Sequence, residues 1–211
     1  MNVKTELYLD QTKVWPADGR HILAQYDDDT IIVYQAFNPN VADYAMKHGQ
    51  FGGPHYSFSR MSWIKPNFLW MMYRCGWASK ENQERVLGLR VSRPFFDAIL
   101  EQAIVSSFDP LHFADQAEWK RAIETSNVRL QWDPDHDPGG AKQARRAIQL
   151  GLRGDIQRAL ATTELREVVD MTPFVIEQSK APLASLRTPR ERPYWPASEA
   201  ARRQIALDPA P

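Results

Sequence analysis

One segment, Arg60 to Trp77, constrains this chain more than any other: Arg-Met-Ser-Trp-Ile-Lys-Pro-Asn-Phe-Leu-Trp-Met-Met-Tyr-Arg-Cys-Gly-Trp. Ile64, Phe68, Met71, Met72 and Cys75 follow helical spacing, and Leu69 and Trp70 widen the apolar arc. A helix apolar nearly all round is buried. Ser62 is a candidate N-cap, with Lys65 and Pro66 in the first turn, and Gly76 a candidate stop. Trp63, Trp70 and Trp77 recur at seven-residue spacing and read either as core or as part of a site.

Arg60, Lys65 and Arg74 flank or interrupt this apolar run. Arg and Lys are almost never fully buried unless paired. Two alternatives follow: they reach internal carboxylates, or they line a cleft that awaits an anion. Arg suits the second role, because its planar fork matches phosphate and carboxylate.

The chain has 211 residues, enough for one domain, with 26 basic and 26 acidic residues. Neither half is a basic block, which argues against non-specific nucleic-acid binding as the main activity. Cys75 is the one cysteine, so a disulfide within the chain and a cysteine zinc cluster are both excluded. No signal-peptide core and no membrane-length apolar stretch occurs, so a soluble cytoplasmic protein with no membrane partner is expected.

Residues 1–19 are polar and are expected to form an arm over the body. His21–Tyr26 and Thr30–Phe37 read as strands joined by an Asp27-Asp28-Asp29 turn. Asn38-Pro39 opens a helix that Gly49 closes. A loop then runs into a short expected strand, His55–Ser59. Arg85–Val91 reads as a strand, Ser92-Arg-Pro as a helix start, Asp115–Thr125 as a helix and Asn127–Trp132 as a half-buried strand.

Asp133-Pro-Asp-His-Asp-Pro-Gly-Gly is expected to be a long acidic turn. It lacks the glycine and glutamate of a calcium loop, and no metal site is expected. Ala147–Arg153 reads as a strand, 154–162 and 172–180 as helices, and 197–207 as a final short one. Residues 20–186 are thus expected to be the body. Residues 187–211 form a Pro/Arg-rich extension anchored by Tyr194 and Trp195. The mixed order and hairpin start predict an α+β class, a single compact domain with a mostly antiparallel sheet and packed helices.

Several phrases carry a resemblance. They are Ala24-Gln-Tyr-Asp27, Val33-Tyr-Gln-Ala36, Arg60 through Arg74, Val128-Arg-Leu-Gln-Trp-Asp-Pro134, Arg146-Ala-Ile-Gln-Leu-Gly151 and Glu191-Arg-Pro-Tyr194. Together they resemble a bacterial and fungal family known as a domain of unknown function, number 4291. That resemblance implies a fold unit of this size and no activity.

A second resemblance is to ADP-ribosyltransferases. Those enzymes open with a strand ending in an aromatic and then Arg or His. A helix and a Ser-x-Ser strand follow, and a late strand carries Glu. Here Val33-Tyr34-Gln35, the helix 39–48, Ser57-Phe58-Ser59 and Ile148-Gln149 fall in that order. Gln35 stands for the Arg or His and Gln149 for the Glu, which makes Asp133 the candidate carboxylate. The resemblance makes NAD a possible cofactor.

Two functions are therefore weighed. The first is an enzyme on a nucleotide or nucleic-acid substrate, a transferase with an ADP-ribosyltransferase-like cleft. Gln35, Asp133 and Gln149 are its catalytic candidates; Tyr34, Arg60, Ser62, Lys65, Arg74, Gln131 and Arg146 would bind substrate. Asp133 or His136 would move a proton. The second is a non-catalytic module for RNA or a protein partner, suggested by aromatics interleaved with Arg.

Overall fold

The structure is a computed structural model that describes residues 3–110 and 112–209. It opens with β1 (Thr5–Leu7) and α1 (Tyr8–Gln11), then β2 (Ile22–Ala24), β3 (Thr30–Phe37) and α2 (Pro39–His48). Next come β4 (Ser62–Ile64), α3 (Phe68–Cys75), β5 (Arg85–Ser92), α4 (Arg93–Glu101) and β6 (Ala103–Val105). The remainder is α5 (Gln116–Thr125), β7 (Val128–His136), β8 (Lys142–Leu152), α6 (Gly154–Ala161), β9 (Leu165–Asp170), α7 (Thr172–Gln178), β10 (Arg187–Pro189), β11 (Arg192–Tyr194) and α8 (Glu199–Gln204). This is an α+β fold.

Two sheets carry it. One has the order β3-β5-β9 and is antiparallel throughout. The other has the order β4-β8-β7-β6, with only the β6–β7 pair parallel. Both faces of the three-stranded sheet are covered, which is why Ile31-Ile32-Val33-Tyr34 is apolar without alternation. Ile31 and Val33 enter one core cluster; Ile32 and Tyr34 enter a second under α3 and α7.

The four-stranded sheet alternates instead. Val128, Leu130, Ile148, Leu150 and Leu152 face the first core cluster. The intervening Arg129, Gln131, Asp133 and Gln149 lie half-buried on the other face.

The chain termini are woven together. β1 pairs with β10, and β11 pairs with β2. Within the arm, Gln11 donates to the Thr188 hydroxyl at 2.6 Å, and Trp15 Nε1 donates to the Glu191 carbonyl at 2.9 Å.

The expected helix at the central segment begins later than its apolar spacing predicts. Ser62 caps nothing; Ser62–Ile64 is a strand paired with Leu150–Leu152. Asn67 is the N-cap, its Oδ1 accepting from Trp70 N at 2.6 Å, and Gly76 closes the helix in the left-handed region at φ 59°. Pro66 lies before the helix, where it disfavours helical backbone at Lys65. Cross-strand pairing overrode helical spacing there.

His55–Ser59 is a turn, not a strand. The acidic segment also differs from expectation. Strand β7 continues through Asp133 to His136 with a register shift at Pro134, and the turn is confined to Asp137–Ala141. Asp135 can sit in a strand because Arg145 on β8 neutralises it.

Candidate functional site

Among the described residues the backbones of the two sheets are bridged at one point. Tyr34 on β3 and Lys65 beyond β4 form an isolated bridge, and the ladder is not continued on either side. One residue on, the Gln35 side chain replaces it. Its Nε2 donates to Ser62 Oγ at 2.7 Å and to the Trp63 carbonyl at 3.1 Å. Because Ser62 Oγ accepts from Gln35, the hydroxyl proton of Ser62 is left for another acceptor.

A cavity of about 410 Å³ opens where the sheets part. It is lined by Gln35, Arg60, Ser62, Trp63, Lys65 and Arg74, with Met71 of α3 as its apolar side. A second hollow of about 590 Å³ shares Phe37, Arg60, Met61 and Ser62 with it and extends to Tyr56 and Gln157. The two form one elongated cleft with Arg60 and Ser62 at its waist.

The electrostatics are one-sided. Lys65 is 5% exposed. It makes no ion pair and its ammonium makes no hydrogen bond among the described residues; the same holds for the guanidinium groups of Arg60 and Arg74. Several other arginines are ion-paired: Arg85 with Asp43 and Asp170, Arg90 with Glu167, Arg145 with Asp135, Arg192 with Glu6. Arg60 and Arg74 are themselves exposed, whereas Lys65 is buried. Burial, and then the positive charge of Arg74, lower the Lys65 pKa from 10.5 to about 8, while the charge of Asp133 acts the other way.

Arg60, Lys65 and Arg74 thus line one cavity and reach no carboxylate among the described residues. Seven lysines of the chain are exposed and Lys65 is not.

The floor of the cleft depends on a glycine. Trp63 pairs with Gly151 across β4 and β8. A Cβ at Gly151 would lie 2.6 Å from Met61 Sδ and 2.9 Å from the Trp63 ring. The absent side chain lets Trp63 and Met61 lie flat against β8.

The remaining candidates fall into three groups. Gln131, Gln149 and Asp133 form a linked strip on the polar sheet face: Gln149 Nε2 donates to Gln131 Oε1 and to Asp133 Oδ2, both at 2.7 Å. Gln131 and Asp133 line a separate hollow of about 320 Å³ with Arg20 and Ser106. Tyr34 is fully buried against Phe68, at a ring separation of 5.5 Å, and lines no cavity described here. Arg146 is exposed in the middle of β8, bridged to Arg20, and is not brought to the cleft.

His136 is 2% exposed and stacked on Tyr73 at 3.6 Å and Trp70 at 5.2 Å; burial lowers its pKa. That position does not suit proton transfer to a cleft ligand. Of the three tryptophans, Trp63 lines the cleft, Trp70 packs on His136, and Trp77 sits edge-on to Phe68.

One residue was passed over in the sequence. Arg129 lies on the same polar face as Gln131 and Asp133, and its Nε is buried without a partner. The strand alternation that picked out Gln131 and Asp133 would have found it. No group of three or more metal-ligating side chains converges among the described residues.

The family model described as a domain of unknown function, DUF4291, matches residues 21–194. The chain belongs to this family. The match spans β2 through β11 and so includes both sheets and every residue lining the cleft. No curated protein sequence matches the chain. No helix among the described residues is long and apolar enough to cross a membrane.

Proposed function

We propose that this member of the family is a cytoplasmic nucleotide-handling enzyme, a transferase whose cleft holds the phosphates of a nucleotide between its two sheets. The observation that carries the reading is Lys65: a lysine only 5% exposed, without an ion pair among the described residues, lining a cavity whose other charged groups are Arg60 and Arg74. A buried charge costs several kcal/mol unless compensated. Lys65, buried and unpaired beside the exposed guanidinium groups of Arg60 and Arg74, gives the cavity a positive lining suited to an anion.

Each residue then has a role. Arg60 and Arg74 grip phosphate oxygens, with Lys65 adding charge from beneath. Trp63 offers a wall on which a base or nicotinamide ring stacks. The Ser62 hydroxyl, oriented by Gln35, donates to a ribose or phosphate oxygen. Gln149 holds Asp133 on the adjoining sheet face, in the neighbouring hollow, from which its charge is felt at Lys65; as the carboxylate of the reaction it would serve a ligand that reaches from the cleft into that hollow.

The order of β3, ending in Tyr34-Gln35, and then α2 supports the ADP-ribosyltransferase-like reading, with NAD as the donor, although the Ser-x-Ser strand of that reading is a turn here. In that comparison the serine comes from Ser62 on β4, because Ser57 and Ser59 hydrogen-bond each other in an exposed turn.

The test is a melting and calorimetric titration with ADP and NAD in the wild type and in Arg60→Ala/Arg74→Ala. A ligand at a hundred times its Kd adds about 2.7 kcal/mol. A stabilisation with either nucleotide, lost in the double variant while its circular dichroism is unchanged, is expected. Stabilisation by RNA alone, with steep salt dependence, would instead favour a non-catalytic binding module.

A further inference from the structure

We propose that Lys65 is an amine nucleophile that captures the open-chain aldehyde of a phosphorylated aldose, ribose phosphate free or as the end of a nucleotide, as an imine in the cleft. The inference rests on the phosphate-binding reading of Arg60 and Arg74 and adds covalent chemistry to the same site.

Three observations place the chemistry on this atom. Lys65 is the one buried lysine of eight, and the bulk of its side chain is out of water. Its side chain lines the cavity and, among the described residues, is held by no carboxylate and no carbonyl. Arg74 and Arg60 line the same cavity, and a cationic neighbour with a desolvated site is what keeps an active-site lysine in its amine form. With a pKa of about 8, roughly half of Lys65 is neutral at pH 8, against under about one per cent of an ordinary lysine. The partners suit an aldose phosphate: guanidinium groups for the phosphate, and the Ser62 hydroxyl for a sugar oxygen. A ribose freed at C1′ by glycosidic cleavage opens to this aldehyde.

The step balances without a co-reactant. The lone pair of neutral Nζ attacks the carbonyl carbon, and the C–O π pair moves to oxygen. Nitrogen loses a proton and the oxygen gains one, giving a carbinolamine. Its hydroxyl leaves as water after taking up a further proton. The nitrogen lone pair closes the C=N bond, and the second nitrogen proton is released. The sum is amine plus aldehyde to imine plus one water.

The test incubates the full chain with ribose 5-phosphate and sodium cyanoborohydride, followed by intact mass and peptide mapping. ADP binding by the wild type is measured in parallel. A single adduct on Lys65 is expected, at least tenfold over every other lysine, forming faster as pH rises through about 8. It should be absent in Lys65→Arg. It should fall at least tenfold with ribose in place of its phosphate, and equally in Arg60→Ala/Arg74→Ala.

Adducts spread over the surface lysines, an adduct level unchanged in Lys65→Arg, or equal rates with ribose would overturn the inference. ADP binding without a Lys65 adduct removes the imine and leaves the phosphate site standing. A selective adduct without ADP binding removes the nucleotide reading and leaves the imine. Neither result removes both. Lys65→Met, with no charge to bury, serves as the folded control if Lys65→Arg does not fold.

Discussion

Tyr34 and Lys65 exchange both backbone hydrogen bonds, Tyr34 N to Lys65 O at 2.7 Å and Lys65 N to Tyr34 O at 3.1 Å, and this is where the two sheets are stitched together. Side chains of directly paired residues leave on the same face. Both therefore lie under α3, but with opposite fates. Tyr34 is sealed against Phe68, whereas Lys65 lies beside Met71 and Arg74 where the cleft opens. One hydrogen-bonded pair sets both the depth of the core and the floor of the site.

Lys65 should make stability depend on alkaline pH. Its folded pKa, about 8, is below its ordinary 10.5, so the unfolded chain binds this proton more tightly. Stability attributable to Lys65 then rises with pH between about 8 and 10.5 and is lowest, and flat, below about 8. At about 1.4 kcal/mol per pKa unit the span is about 3 kcal/mol. Lys65→Met should be more stable than the wild type at pH 7, by up to that amount, and the difference should shrink toward pH 10.5. Urea denaturation of both proteins across pH 7–10 measures it.

Gly151 controls the shape of the cleft without lining it. A valine there must displace Met61 and Trp63, since a Cβ alone would meet them at 2.6 and 2.9 Å. Gly151→Val should destabilise by about 1–3 kcal/mol, the usual cost of overpacking. It should also shift the tryptophan emission and weaken nucleotide binding at least tenfold. Alanine at the same position should give smaller changes of the same sign. Fluorescence and calorimetry on the two variants read both effects.

The elements with strong local signals were legible. Asn38-Pro39 and Gly49 bound α2, Ser92 caps α4 by accepting from Phe95 N, and the alternation of Val128, Leu130 and Trp132 gave β7. What failed was decided by tertiary partners. Ser62–Ile64 has helical spacing but pairs with β8, and Asp135 is strand because Arg145 lies opposite.

β9 was missed because Arg166 and Glu167 interrupt its apolar run; Glu167 lies across from Arg90 and accepts from it. For the site, Arg60, Lys65 and Arg74 stood out as charges in an apolar segment. Their convergence with Gln35 required the contact of two sheets, which no local spacing encodes. Tyr34 and Gln35 are neighbours in sequence, yet Tyr34 is sealed in the core and Gln35 lines the cleft.

The Asp135–Arg145 pair should be costly to break. Arg145 Nε and Nη2 donate to Asp135 Oδ2 at 2.9 and 2.5 Å, Nη1 donates to the Pro16 carbonyl at 2.6 Å, and the guanidinium lies over the Trp15 ring at 5.1 Å. Burial raises the Asp135 pKa more than Arg145 lowers it, so the pair is held by geometry against desolvation. Asp135→Asn leaves a buried cation with no anion, at about 3–5 kcal/mol. The Trp15 and Pro16 contacts of the arm should loosen with it, seen as faster hydrogen exchange over residues 11–16.

Glu191 should behave in the opposite way on neutral replacement. It is 1% exposed, and its Oε1 accepts from Phe68 N at 2.7 Å, at the first residue of α3. Burial pushes its pKa well above the ordinary 4.5. The folded state thus holds this proton more tightly than the unfolded chain. Its contribution is greatest below pH 4.5 and declines as pH climbs toward the raised folded value. Glu191→Gln keeps an acceptor for Phe68 N and has no charge to bury, so it should match or exceed wild-type stability at pH 7 and flatten that acid-to-neutral decline. Glu191→Leu removes the acceptor, strands a buried N–H, and should cost about 1–3 kcal/mol. Thermal melts of the three proteins between pH 4 and 8 separate these outcomes: if glutamine were as damaging as leucine, the carboxylate charge rather than the acceptor would be what α3 requires.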